Sequence, residues 1–180
     1  MYGIINKAVQ DLVVHKFGED MWSNVLEDSG LDIEYFISNE TYDDSVTYRL
    51  MEVIVEKTEI PLPDLLKTLG EWWVIKVSKE KYGSLMESGG ATLSEFLTHL
   101  PLFHNRVMLI YPKINAPEFR VSDVSENGLN VHYYSNRAGL KDFVVGIFEG
   151  LGKMYETPIS IEILSSRDEG SDHEVFKLSW

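Results

Sequence analysis

A histidine interrupts the apolar face of one helix, and no other stretch constrains this chain as strongly. The run His99-Leu100-Pro101-Leu102-Phe103-His104-Asn105-Arg106-Val107-Met108-Leu109-Ile110-Tyr111-Pro112 reads as a helix closed by Pro112, which cannot continue it. Leu100, Phe103, Val107, Met108 and Tyr111 share one face at helical spacing. His104 takes the place in that series where a leucine would be ordinary. An imidazole there needs a hydrogen-bonding group, a carboxylate or a metal. A backbone carbonyl would satisfy it, as it does most buried polar groups; ligation of a metal is the alternative.

A second stretch, Val131-His132-Tyr133-Tyr134-Ser135-Asn136-Arg137, reads as a strand. Alternation puts Tyr133, Ser135 and Arg137 on one face, roughly 6–7 Å apart. All three donate hydrogen bonds, and Arg137 is a permanent cation. Such a row suits an anion with several oxygens. A solvated strand face has the same pattern.

The surrounding chain is read as α+β. Residues 3–17 predict a helix with Ile5, Ala8, Val9 and Leu12 on its stripe and Gly18 as its stop. Further helices carry Trp22 and Val25, then Val46 to Ile54 behind Asp43-Asp44-Ser45, then Leu65 to Trp72 behind an Asp64 cap. Thr92-Leu93-Ser94-Glu95 is a capping-box pattern. After it the period switches to strands about an Asn127-Gly128 turn. A helix over 139–154 and strands near 158–164 and 174–179 complete the chain. In the last helix Leu140, Phe143, Val144, Ile147 and Leu151 form a stripe, and Gly146 and Gly150 allow another group to approach.

Together, the helical His104 and the Tyr133-x-Ser135-x-Arg137 row resemble the haem nitric-oxide/oxygen-binding (H-NOX) domains, relatives of the haem domain of soluble guanylate cyclase. The resemblance begins at Met1-Tyr2-Gly3-Ile4-Ile5-Asn6-Lys7. It continues through Phe103-His104, Ile110-Tyr111-Pro112 and Ala116-Pro117-Glu118-Phe119-Arg120, and closes at Gly139-Leu140. It implies one H-NOX-like domain over 1–180, with a helical distal subdomain at 1–62. The proximal subdomain, 63–180, would carry the His helix and a small antiparallel sheet, with haem between the two.

By the same resemblance, a noncovalent haem b takes His104 as its proximal iron ligand, and Tyr133, Ser135 and Arg137 hold its propionates. Asp44 matches an acid that steadies the arginine. Pro117 matches a proline that presses on the macrocycle, though an ordinary turn proline would look the same. Ile5, Val9, Trp73, Phe143 and Ile147 match positions lining the gas side, with Leu140 and Met108 as further cofactor contacts. Plain core packing would also account for these apolar residues. Relatives that bind O₂ place a tyrosine at the position of Phe143, and phenylalanine cannot donate a conventional hydrogen bond. The resemblance therefore implies a nitric oxide sensor that also binds CO. On NO binding, the bond to His104 would weaken and its helix would be released.

Composition bounds the alternatives. The chain has 180 residues with 16 basic against 29 acidic side chains, a net charge of −13, and no basic run of the kind nucleic-acid binders show. The absence of cysteine excludes disulfides, thiolate zinc sites and covalent haem attachment, and departs from relatives with a cysteine-based zinc site. No signal peptide, membrane-spanning run or lipidation motif is present, so a cytoplasmic protein is expected. The expectation is a bacterial stand-alone sensor, not an enzyme. It would act on a separate histidine kinase, or on an enzyme making or degrading cyclic di-GMP. An O₂-binding haem sensor, a haem enzyme and a haem-free module binding a small carboxylate are the competing readings.

Overall fold

The computed structural model describes residues 1–110 and 117–180. Tyr111, Pro112 and Ala116, on which the helix stop and part of the motif were read, lie outside the described residues.

The N-terminal part is helical. Helix α1 (Gly3–Phe17) ends at Gly18, whose φ of 88° suits a residue without Cβ. Helices α2 (Glu19–Ser29) and α3 (Asp44–Thr58) follow, and the Asp43 side chain caps α3 by accepting from Ser45 N. Helix α4 (Leu62–Trp72) starts at Pro61, so Asp64 lies in its first turn rather than at the expected cap. Pro63 in the first turn is tolerated because its missing N–H would have been an orphan anyway.

Beyond α4 the chain passes into a π-helical segment, Trp73–Ser78, and then α5 (Lys79–Glu87) with a non-helical Tyr82. Neither irregularity was legible from apolar periodicity. Helix α6 (Leu93–Thr98) is capped by Thr92, as the capping box required. The reciprocal bond is shifted by one residue, since Glu95 Oε2 accepts from Ala91 N. Helix α7 (Leu100–Ile110) carries His104.

The sheet is antiparallel throughout, in the order β1-β2-β4-β3, with β1 (Glu118–Ser125), β2 (Gly128–Tyr134), β3 (Ser160–Ser165) and β4 (Glu174–Ser179). Gly128 is the first residue of β2, so the turn sits one residue earlier than the Asn127-Gly128 pair suggested. The central strands alternate cleanly: Leu129, Val131 and Tyr133 of β2 and Phe176 and Leu178 of β4 are buried. Helix α8 (Lys141–Met154) lies against this face, where Phe148 meets Phe176 edge-on at 5.4 Å between centroids.

Two apolar clusters result. One gathers residues from α1, α2, α3 and α4; the other gathers α6, α8 and the sheet. Trp73 and Tyr82 pack against both. Helices α4 and α8 join the halves at glycine contacts. A Cβ on Gly146 would lie 2.0 Å from Lys67 O, and one on Gly70 would lie 2.1 Å from Phe143 O. Only hydrogen at both positions permits this approach, the role expected for Gly146. No helix among the described residues is long and apolar enough to cross a membrane.

Candidate functional site

His104 projects from α7 toward the sheet. Its ring meets Phe119 of β1 edge-on at 5.0 Å, and Phe119 meets Tyr133 of β2 at 5.3 Å, so three rings run in a row from helix to sheet. The imidazole is half-buried, and burial lowers its pKa from the ordinary histidine value. Among the described residues it has no hydrogen-bond partner. The carbonyl-bonded core histidine weighed above is not what the described residues form.

The other histidines differ. His99 Nδ1 is 3.1 Å from Gly89 O. His132 Nε2 meets Ser122 Oγ at 2.9 Å, its Nδ1 meets His173 Nε2 at 3.0 Å, and His173 Nδ1 is bonded to Asp172. His15 is exposed and lies against the Trp72 ring at 4.7 Å.

The donor row converges by a different route from the one expected. Strand β2 stops at Tyr134, so Ser135 and Arg137 are not strand residues and alternation does not place them. Residues 136–139 form a bend, as Ser135, Asn136 and Gly139 favour. The Ser135 hydroxyl accepts from Arg137 N at 3.1 Å, a local turn that competes with the sheet ladder. Tyr133 is buried, which pushes its hydroxyl pKa up; a hydrogen bond with Ser135 and the charge of Arg137 pull the other way.

Arg137 Nε reaches across to α3 and donates to Asp44 Oδ2 at 2.7 Å. Asp44 also accepts from the amino group of Met1 at 2.5 Å. Burial raises the Asp44 pKa, but hydrogen bonds from Met1 and Arg137 outweigh it and hold the carboxyl below its usual range. Asp44 and Arg137 are therefore brought together as the resemblance implied.

Ile5, Val9, Trp73 and Phe143 all pack in the first apolar cluster, and Ile147 packs with Trp73 in the second. Phe143 and Ile147 are half-buried on α8, and Leu140 caps that helix without a side-chain bond. Met108 is half-buried on α7, and Pro117 is half-buried just before β1.

Two further residues hold the bend. Tyr48 Oη donates to Ala138 O at 3.3 Å, and Arg167 Nη1 donates to Ser135 O and Arg137 O at 2.7 and 3.0 Å. Sequence reasoning missed both. Their targets are backbone carbonyls, which carry no side-chain signature, and they lie 90, 32 and 30 residues away along the chain.

These donors fit a haem: an imidazole without a hydrogen-bond partner among the described residues, hydroxyls and a guanidinium close together at the end of β2, and apolar walls from two clusters. The comparisons agree. The Haem-NO-binding family model matches residues 2–163. The soluble guanylate cyclase gcy-31 of Caenorhabditis elegans is 26% identical over 180 residues, covering 99% of this chain and 26% of that protein. Guanylate cyclase soluble subunit beta-2 of Rattus norvegicus is 33% identical over 106 residues, 58% of this chain and 16% of that protein. The chain thus spans about a quarter or less of these relatives. An Fe(II) unliganded H-NOX protein from K. algicida superimposes with a TM-score of 0.87 at 27% identity, covering 99% of this chain and 96% of that one. An H-NOX protein from S. oneidensis in the Fe(II)NO state gives 0.89 at 19% identity, with 99% and 98% covered, which speaks for the fold alone.

Proposed function

This chain belongs to the Haem-NO-binding family, the haem-based gas-sensing domains of guanylate cyclases and their relatives, and on that premise we propose that it senses nitric oxide at a ferrous haem b while leaving O₂ unbound. The observation that carries the reading is the His104 imidazole, half-buried on α7 and without a hydrogen-bond partner among the described residues.

His104 would supply the nitrogen that holds the iron, and burial, which lowers its pKa, favours the neutral ring that can ligate a metal. Arg137, steadied by Asp44, and the Tyr133 and Ser135 hydroxyls receive the two propionates. Hydrogen bonds to charged groups contribute about 1.5–3 kcal/mol each. Ile5, Val9, Trp73, Phe143 and Ile147 wall the gas side and exclude water; Leu140, Met108 and Pro117 complete the slot. A ferrous haem, when bound, would supply the iron that takes up a diatomic gas. Phe143 offers no donor beside it, which disfavours O₂, a ligand that gains much from a hydrogen bond, and leaves NO and CO. Because His104 sits on α7, a change in how it is held becomes a change in the helix.

The domain itself carries no catalysis in this reading. Its output goes to a separate chain, a histidine kinase or an enzyme making or degrading cyclic di-GMP, in the cytoplasm of a bacterium.

The test is a visible spectrum of the ferrous protein, first in air and then under NO and CO. Unchanged ferrous bands in air with new bands under NO and CO support the reading. A lasting oxy spectrum would overturn the exclusion of O₂ and point to the Trp73 indole as a donor. A colourless protein that takes up no added hemin would overturn the haem reading altogether.

A further inference from the structure

Strand β2 ends at Tyr134, so among the described residues no ladder pairing extends to the bend that presents Ser135 and Arg137. The charged group that grips this bend from outside is Arg167. Its Nη1 donates to Ser135 O at 2.7 Å and to Arg137 O at 3.0 Å, spanning the backbone on both sides of Asn136. Among the described residues the Arg167 guanidinium has no carboxylate partner, so its charge is committed to these carbonyls. Charge-assisted bonds of this kind are about twice as strong as neutral ones.

Arg167 is itself anchored. It opens a 3-10 turn, Arg167–Glu169, behind the Ser166 cap. Its backbone N–H donates to Glu174 Oε2 at 3.3 Å. Glu174 is buried and stands opposite Tyr133 in the β2–β4 register. Lys141, at the start of α8, pairs with Asp168 of the same turn at 2.6 Å. Arg167 is therefore fixed to the sheet through its backbone and holds the bend through its guanidinium.

We propose that Arg167 is a positioning residue for the propionate-binding bend: it touches no propionate itself, and it sets the backbone from which Ser135 and Arg137 reach theirs. The inference rests on the assignment of that bend to haem propionates. Both bonds leave one nitrogen whose two N–H bonds are held in the plane of the rigid guanidinium, so their directions are set in advance. A lysine ammonium also has donors enough for two carbonyls, but it rotates freely on a flexible stem and holds the bend less tightly.

The experiment follows haem transfer from holoprotein to an excess of a haem-scavenging apoglobin, read at the Soret band. Arg167→Ala should lose haem about tenfold faster than wild type, the scale of one charge-assisted bond. Arg167→Lys should fall between the two. Lys177→Ala removes an exposed ion pair with Glu162 on the sheet but no contact with the turn or the bend, and should match wild type. If Arg167 works through the bend, then Arg137→Ala combined with Arg167→Ala should lose haem more slowly than the two single effects multiplied together, because part of the Arg167 effect is already gone with Arg137. A general loss of structure would add instead.

Wild-type haem retention in Arg167→Ala, with faster loss in Arg137→Ala, would overturn the positioning role and leave the propionate assignment standing. Additive losses in the double variant would overturn it equally. Should Arg167→Ala not fold, Arg167→Gln replaces it with the same expectations. Wild-type retention in Arg137→Ala would instead remove the propionate assignment beneath the proposal.

Discussion

Arg137 Nε lies 2.7 Å from Asp44 Oδ2, joining residues 93 positions apart and tying the bend after β2 to the first turn of α3. The pair is only partly shielded, with side-chain exposures of 17% and 35%, so Coulomb energy alone gives it modest worth. Its value is geometric: it holds a guanidinium fork where a carboxylate ligand can meet it.

Arg137→Ala should therefore weaken haem retention more than Ser135→Ala. The arginine carries both the charge and the fork, whereas Ser135 contributes a hydroxyl that also closes the bend. Asp44→Asn should fall between them, because the guanidinium stays but loses its brace. Haem-transfer rates rank the three. A reversed order would place Arg137 away from the propionates.

His104→Gly should purify with little haem, and free imidazole should restore the Soret band by filling the vacated space. The proposed propionate and apolar contacts would not depend on His104. Signalling should not return with the colour, because the added imidazole is not attached to α7. A variant that retained haem without imidazole would mean that another group ligates the iron.

Phe143→Tyr should create a donor on the gas side and yield an oxy spectrum that persists in air. Phe143 is half-buried in the first cluster, so the added hydroxyl needs a partner there, and a bound gas would supply it. If the variant still forms no oxy complex, then position 143 does not face the gas.

Burial lowers the His104 pKa, so the folded apoprotein favours the neutral ring. Above the ordinary histidine value of 6.5 both folded and unfolded chains hold a neutral ring and no penalty exists. As pH falls below 6.5 the unfolded chain binds a proton first, and stability declines until the folded value is passed. Denaturant unfolding of the apoprotein between pH 7.5 and pH 5 should show this decline in wild type, and a smaller one in His104→Leu; those pH limits bracket roughly one unit or more on each side of histidine titration.

Gly146→Ala should destabilise the fold by about 1–3 kcal/mol, the usual cost of overpacking, since its Cβ would sit 2.0 Å from Lys67 O. Gly83→Ala is the contrast. It lies within α5, its Cβ meets nothing within 4 Å, and it should stabilise by about 0.5–1 kcal/mol. Urea midpoints of the two variants should move in opposite directions.

Local signals decided much of this molecule. The 3.6-residue apolar period, the Gly18 stop and the Asp43 cap are short-range chemistry, and α1, α3, α7 and α8 formed where they pointed. The candidate ligand was legible for the same reason, since an imidazole in an apolar helical stripe is anomalous within a few residues of sequence. Tertiary structure decided the rest. Ser135 and Arg137 looked like strand residues because alternation is a property of composition. Whether a ladder continues, however, depends on its neighbours, and β4 pairs with β2 only as far as Tyr133. The grip of Arg167 on that bend, the approach of Lys67 to Gly146 and the packing of Trp73 across two clusters all involve backbone atoms or distant partners. Carbonyl oxygens are the same in every residue, so a contact that uses them leaves no mark in the sequence and exists only once the chain has folded.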